Sequence, residues 1–213
     1  MVPIESYKAN PCKMLSIPYW KAKSISIPPN MKIVHDSEFD SGLLDKYLDK
    51  KYFRLKHNLQ GIPDTNIPEI GFEVIPQDKT DELADMINRS YTHSEIHVTA
   101  EYIKDLTATP VYCPKLWISA VLEGKIVGFI LCDFDRETGE AVIEWLQVLP
   151  EYRGRGIASA LTCKALKVMS GFADFATVSG ECDNITNPEK VYRRCGFQRN
   201  DVWHILKFEG AKT

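Results

Sequence analysis

Val142-Ile143-Glu144-Trp145-Leu146-Gln147-Val148-Leu149-Pro150-Glu151-Tyr152-Arg153-Gly154-Arg155-Gly156-Ile157-Ala158-Ser159-Ala160-Leu161 reads as a strand that passes through an Arg-Gly-Arg-Gly turn directly into a helix. Gly154 and Gly156 permit positive φ and let a ligand approach the backbone closely. A helix beginning at Ile157 presents unpaired N–H groups and the positive end of its dipole, which together make an anion site. Small residues Ala158, Ser159 and Ala160 leave room there for a phosphate group. The stretch is not GxxxxGK[ST], which argues against a nucleoside-triphosphate loop. Nor is it GxGxxG, since Ser159 fills the third glycine position. A surface turn with merely solvated arginines is the competing reading. Its place between a buried strand and a strongly periodic helix argues against that.

Working outward, residues after Gly71 alternate strands with helices. Phe72–Ile75 is a short strand, and 78–90 a helix with Leu83, Met86 and Ile87 on one face. Asp81 and Glu82 sit in its first turn, where the dipole favours acids. A second helix is expected around Thr99–Leu106. Strands at Leu116–Leu122 and Lys125–Cys132 meet at Glu123-Gly124, a two-residue hairpin signal. Ile157, Leu161, Ala165, Leu166 and Met169 make the stripe of the helix after the glycine turn. A strand at Phe175–Ser179, a short helix at Pro188–Cys195 and a last strand at Val202–Phe208 complete the pattern.

The chain divides near residue 70. Before it lie Pro3, Pro11, Pro18, Pro28, Pro29, Pro63 and Pro68, more than half of the twelve prolines. That density predicts an extended arm over residues 1–34. Its aromatic and apolar residues are too numerous for a disordered tail and imply packing against something. Leu43, Leu44, Tyr47, Leu48, Tyr52 and Leu55 recur at three- and four-residue intervals, which predicts an amphipathic helix over about 39–58. Gly61 to Pro68 reads as a linker. The expected organisation is an N-terminal extension over 1–70 and an α/β domain over 71–213.

Composition restricts the function classes. The 213 residues carry 26 basic and 29 acidic side chains, a net charge of −3, so no basic field exists to hold nucleic acid. No apolar run approaches the ~20 residues of a membrane span, and Met1-Val2-Pro3-Ile4-Glu5-Ser6 lacks the form of a secretory signal. A cytoplasmic location is the expectation. Cys12, Cys113, Cys132, Cys163, Cys182 and Cys195 include no CxxC pair, and reduced structural thiols are expected. His93 and His97 lie four apart, yet Glu95 is misplaced for HExxH and no third ligand is evident, so no metal is assigned.

Two motifs together carry a family resemblance. Arg153-Gly154-Arg155-Gly156-Ile157-Ala158 resembles the R/Q-x-x-G-x-G/A acyl-coenzyme A motif of the GNAT superfamily of N-acetyltransferases. Asn187-Pro188-Glu189-Lys190-Val191-Tyr192-Arg193-Arg194-Cys195-Gly196-Phe197 is similar to its N…Y-x-x-x-G-F. The order of elements from Phe72 also matches. The resemblance covers residues ~71–208 and implies the GNAT fold, a central mixed twisted sheet flanked by helices.

It further implies an acetyl-CoA-dependent N-acetyltransferase acting by direct attack in a ternary complex. The pyrophosphate would rest on the backbone amides of Arg153, Gly154, Arg155, Gly156, Ile157 and Ala158. The pantetheine arm would run along Leu146, Gln147 and Val148, where neighbouring strands splay. Backbone N–H near Val148 would polarise the thioester carbonyl. An alkyl amine has a pKa near 10, so attack needs a base. Glu144 is the candidate, because a carboxylate sharing a strand face with Val142, Leu146 and Val148 asks for an explanation. Tyr192 falls where the family places the general acid for the departing thiolate.

Cofactor contact by asparagine is open between Asn184 and Asn187, since Ile185 occupies the family's usual position. Asn187 before Pro188 also reads as an ordinary N-cap with proline at N1. Asn88, Tyr91, His93 and Tyr102 border the expected acceptor pocket, and Trp203 and His204 on the last strand are further candidates to face it. The acceptor class is a small amine, an amino acid or a peptide N-terminus, and the arm is expected to close one side of that site or to mediate homodimerisation. Two readings from other classes stand beside this one: a non-catalytic acyl-CoA-binding regulatory module, and a protein-interaction module built on the arm.

Overall fold

Glu123 and Gly124 take positive φ values of 50° and 77°, the pair of left-handed residues that a two-residue hairpin needs. They join β4 (Tyr112–Leu122) to β5 (Lys125–Asp135), and β6 (Glu140–Val148) continues the meander. The computed structural model describes residues 3–23, 26–91 and 97–209. The remaining strands are β1 (Met31–His35), β2 (Tyr47–His57), β3 (Gly71–Val74), β7 (Phe175–Glu181) and β8 (Gln198–Phe208). All eight form one sheet in the order β1-β8-β2-β7-β6-β5-β4-β3. Every pairing is antiparallel except β6 with β7.

The helices are α1 (Ile4–Ala9), α2 (Ile17–Lys23), α3 (Thr80–Ser90), α4 (Ala100–Thr107), α5 (Ile157–Met169) and α6 (Pro188–Arg194). One face of the sheet packs on α5 and α6 through Leu55, Ile130, Ile143, Leu161, Leu166 and Val178. The opposite face is shared. Helices α3 and α4 cover Trp117, Phe129 and Leu131 with Leu83, Ile87 and Ile103. The N-terminal arm covers the other half of that face. The predicted elements from 71 onward are all present, with boundaries shifted by a few residues.

The first 57 residues depart from expectation. The arm over 1–34 is not extended: it contains α1, a 3-10 turn at Pro11–Lys13 and α2 before β1. The predicted helix over 39–58 is absent. A 3-10 turn at Ser41–Asp45 leads instead into β2, which lies between β7 and β8. Helical spacing misleads here because β2 is covered on both faces. Phe53, Arg54 and Leu55 are consecutive and all buried, so the strand shows no clean alternation. Pairing on both edges, Tyr52 to His57 with β7 and Tyr47 to Lys56 with β8, outweighs local periodicity. Residues before 70 therefore contribute two strands to the same sheet as the rest of the chain.

One buried cluster ties the arm to the sheet. Arg54 is 6% exposed and Glu140 fully buried, with Nη2 of Arg54 3.2 Å from Oε1 of Glu140. Arg54 also donates from Nη2 to the Tyr7 hydroxyl at 2.9 Å and from Nε to the Pro11 carbonyl at 3.1 Å. Thr177 donates its hydroxyl to the same Glu140 oxygen. Burial raises the Tyr7 phenol and keeps it a protonated donor. Trp203 Nε1 donates to the Cys12 carbonyl at 2.8 Å, and Lys21 bridges Asp135 and Glu137. We expect Arg54→Ala to destabilise the fold by about 3–5 kcal/mol, because it strands Glu140 as an uncompensated buried charge. Replacing both partners with Arg54→Met and Glu140→Leu should cost much less. Urea unfolding compares them, and faster proteolysis ahead of residue 24 in the single variant would show the arm released.

Candidate active site

The site forms where β6 and β7 part. Their pairing runs from Glu140 opposite Phe175 to Ile143 opposite Val178 and stops. Beyond that point β6 continues to Val148, paired with β5 through Gly128 opposite Val148. The β7-facing edge of residues 144–148 is therefore left without a strand partner, and a slot opens beside it.

Glu144 stands at the apex of this slot. The β5–β6 register shifts between Leu131 opposite Trp145 and Cys132 opposite Ile143, so Glu144 is the extra residue of a β-bulge. A bulge bends the strand and re-aims the side chain at that position. Ile143 packs on the α5 side, whereas Glu144 lines a cavity on the arm side. Ser179, the residue of β7 just past the last pair, lines it too. Burial raises the Glu144 carboxyl above its usual range, with Lys23 and Arg54 opposing. Asp133, buried on β5, is also raised, first by burial and then by the charge of Glu144. The two acids therefore titrate as a pair. Lys23, at the end of α2, lies 4.9 Å from the Tyr19 ring centroid and 5.7 Å from that of Tyr102.

The α5 side of the slot carries the glycine turn. Gly154 and Gly156 adopt φ of 78° and 82°, in the left-handed region that glycine alone enters at no steric cost. A Cβ at Gly154 would meet nothing within 4 Å, so the turn faces open space. Gly156 is the N-cap of α5 and no side chain caps the helix. Its first amides are thus presented outward, the arrangement that suits a phosphate. Arg155 is exposed, with its guanidinium 5.3 Å from the Tyr152 ring centroid. Arg153 turns back instead: its Nε donates to the Val148 carbonyl at 3.1 Å and fixes the end of β6. The uncapped start of α5 and the exposed Arg155 suit an anionic group, and the strand edge at 146–148 lies beside them.

Tyr192 on α6 packs edge-on to Phe197 and tilted against Phe53, with ring centroids 5.7 Å and 6.2 Å away. Burial raises its phenol, so it stays protonated across the working pH range. Asn184 accepts from the Thr186 amide and hydroxyl and closes a local turn. Asn187 is at the N-cap position of α6 but its side chain caps nothing; its φ of 48° is left-handed, a conformation asparagine tolerates better than most residues.

The proposed acceptor contacts separate. Asn88 is occupied structurally, donating to the Val98 carbonyl at 2.8 Å and accepting from the Val98 amide at 2.9 Å. Tyr91 meets Trp145 edge-on with centroids 6.3 Å apart. Tyr102 lies beside Lys23, and His93 falls outside the described residues. Trp203 lines the cavity, whereas His204 points to the other face, between Asp49 and Asp36 and stacked on Phe39 at 3.8 Å. Tyr19, Trp20, Tyr52 and Asp133 were not foreseen. Asp133 follows the apolar run 126–132 and opens the charged stretch Asp133-Phe134-Asp135-Arg136-Glu137, so its burial was not marked in the sequence.

Comparisons with known proteins agree with this geometry. The model of the Acetyltransferase (GNAT) family matches residues 80–197. The chain is 38% identical over 89 residues to the N-alpha-acetyltransferase MAK3 of Arabidopsis thaliana, covering 40% of this chain and 46% of that protein. It is 32% identical over 106 residues to the mycothiol acetyltransferase of Streptomyces griseus, covering 49% and 34%. The match thus spans less than half the length of either relative. Among solved structures, a GCN5-related N-acetyltransferase from Sphaerobacter thermophilus superposes with a TM-score of 0.69 at 19% identity, covering 87% of this chain and 62% of the other. An acetyltransferase from the GNAT family of Colwellia psychrerythraea gives 0.60 at 14% identity, covering 83% and 64%. With the family model matched over more than half its length, from α3 through α6, the chain belongs to the GNAT acetyltransferase family.

Proposed function

We propose that this protein transfers an acetyl group from acetyl-CoA to a primary amine, by direct attack with both substrates bound. The observation that carries the reading is the parting of β6 from β7 at Ile143 and Val178, with the glycine turn reached from one face and Glu144 aimed into a cavity on the other. Acetyl-CoA supplies an acyl group activated as a thioester. The chain's part is to bind, orient and move protons. Backbone amides at 154–158 hold the phosphates through the α5 dipole. The unpaired edge of Leu146, Gln147 and Val148 lines up the pantetheine and offers N–H groups to the acyl carbonyl.

Glu144 accepts the proton of the incoming ammonium, directly or through one water. Its raised pKa suits this task better than an ordinary surface glutamate would, since a stronger base competes better for that proton. Tyr192, kept protonated by burial, delivers a proton to the departing thiolate. The "N-alpha-acetyltransferase" in the name of the Arabidopsis relative supports an amine acceptor.

Titration calorimetry tests the cradle. Coenzyme A and acetyl-CoA should bind in the micromolar range, and Arg155→Glu should weaken both by about tenfold, the ~1.4 kcal/mol expected for reversing one charge at a partly screened phosphate contact. A folded protein that binds neither would remove the reading. Binding without acetylation of any amine would favour the non-catalytic regulatory module.

Kinetics test the base. Glu144→Gln should lower kcat by roughly a hundredfold or more, and Tyr192→Phe by a similar factor. Because Glu144 works ionised and its carboxyl is raised, wild-type kcat should fall as pH drops through a limb lying above the usual carboxylate range. That limb should disappear in Glu144→Gln.

A further inference from the structure

We propose that the acceptor is a primary amine bearing an aliphatic or aromatic group, which enters the cavity between the N-terminal arm and the sheet and places its nitrogen at Glu144. This rests on the transferase reading above and assigns its substrate class. The cavity measures about 530 Å³, within the range of small-ligand sites. Its walls come from both ends of the chain: Leu15, Trp20, Ile27 and Ile33 from the arm and β1, Trp203 and Ile205 from β8. Leu15 and Ile27 remain 36% and 40% exposed, so apolar surface is left open where it lines this space.

Charge narrows the ligand further. Arg54 and Glu144 are the charged side chains lining the cavity. The guanidinium of Arg54 is already engaged by Glu140, Tyr7 and Pro11. The indole N–H of Trp203 is likewise turned away, donated to the Cys12 carbonyl. Among the described residues Glu144 is thus the one lining carboxylate, and a ligand ammonium there competes with Lys23, whose charge also acts on it. A second ammonium at the far end would meet aliphatic and aromatic walls and lose its hydration without a counter-ion. A short hydroxyl-bearing amine would leave the aliphatic and aromatic wall uncovered, although Ser16, Tyr19, Tyr52 and Ser179 offer hydroxyls to it. The ligand that fits has one amine and an apolar body.

Two sources share this chemistry: a free alkyl- or arylalkylamine, and a peptide N-terminus with an apolar first side chain. The full-length protein is assayed for thiol release from acetyl-CoA with methylamine, butylamine, hexylamine and phenethylamine, against ethanolamine and 1,4-diaminobutane. Tetrapeptides beginning with Leu or Phe are compared with those beginning with Ser or Glu. We expect kcat/KM to climb about fourfold per added methylene until the cavity is filled, with ethanolamine and the diamine near the methylamine level. Preference confined to the amines, or to the apolar-first peptides, identifies the source, and either supports the proposal.

Leu15→Ala and Trp20→Ala, checked for folding by circular dichroism, should each flatten the dependence on chain length. Equal kcat/KM for hexylamine, ethanolamine and the diamine would overturn the proposal while leaving the transferase standing. If no amine is acetylated, quenching of tryptophan fluorescence by hexylamine but not ethanolamine would uphold the apolar ligand and remove the transferase. No response in either assay would remove both.

Discussion

A guanidinium taken out of water must be compensated where it lies, and the N-terminal third of this protein is organised around that requirement. Arg54 sits at the centre of the sheet, on the strand inserted between β7 and β8. Its five donors cannot be satisfied by one carboxylate. Glu140 supplies the charge, while Tyr7 and the Pro11 carbonyl supply acceptors from the arm. The arm is therefore fixed from within by hydrogen bonds to a buried cation, and less by its short helices. Residues 14–20 then lie over the sheet at a defined height and become walls of a cavity. A hydrophobic residue at position 54 would satisfy packing without dictating where the arm sits.

The second constraint is the bulge at Glu144. Without it, strand alternation beyond Ile143 would carry on in phase, and the position after Ile143 would still align with Leu131. The extra residue lets β6 bend away from β7 as the glycine turn approaches. Opening of the sheet, aim of the carboxylate and presentation of the α5 amides thus follow from adjacent residues of one segment. Access to the two faces is separate, which suits a reaction whose two substrates must meet without competing for one entrance.

Much of this was legible in the residues. The hairpin at Glu123-Gly124, the stripe of α5 and the left-handed glycines 154 and 156 are short-range features, and short-range reading finds them. Glu144 stood out because a carboxylate in an apolar strand needs a reason. The strand β2 did not stand out, since burial of Phe53, Arg54 and Leu55 on two faces erases the period that marks a strand. The cavity was equally hidden: its walls come from the arm and β1, from Tyr52, Glu144 and Ser179, and from Trp203 and Ile205, brought together only by the sheet order. An amide side chain advertises hydrogen bonding but not its partner. Asn88 spends both its groups on the backbone of Val98.

The placement of β2 also bears on how the chain acquires its structure. Tyr47–His57 is made early by the ribosome, yet both of its neighbours, β7 and β8, begin after residue 174. During synthesis this strand has no partner on either edge, and it carries Phe53 and Leu55, which end in the core. Closing loops of that length must precede any gain from the pairing, so the central sheet is a late event in folding. Until β8 emerges, an unpaired apolar strand is exposed to neighbouring chains. Lys50, Lys51 and Lys56, with Asp49, flank the apolar core of the segment and discourage edge-to-edge association in that interval. The same charges that make β2 look like a surface helix in the sequence thus serve the nascent chain, before the sheet exists to shelter it.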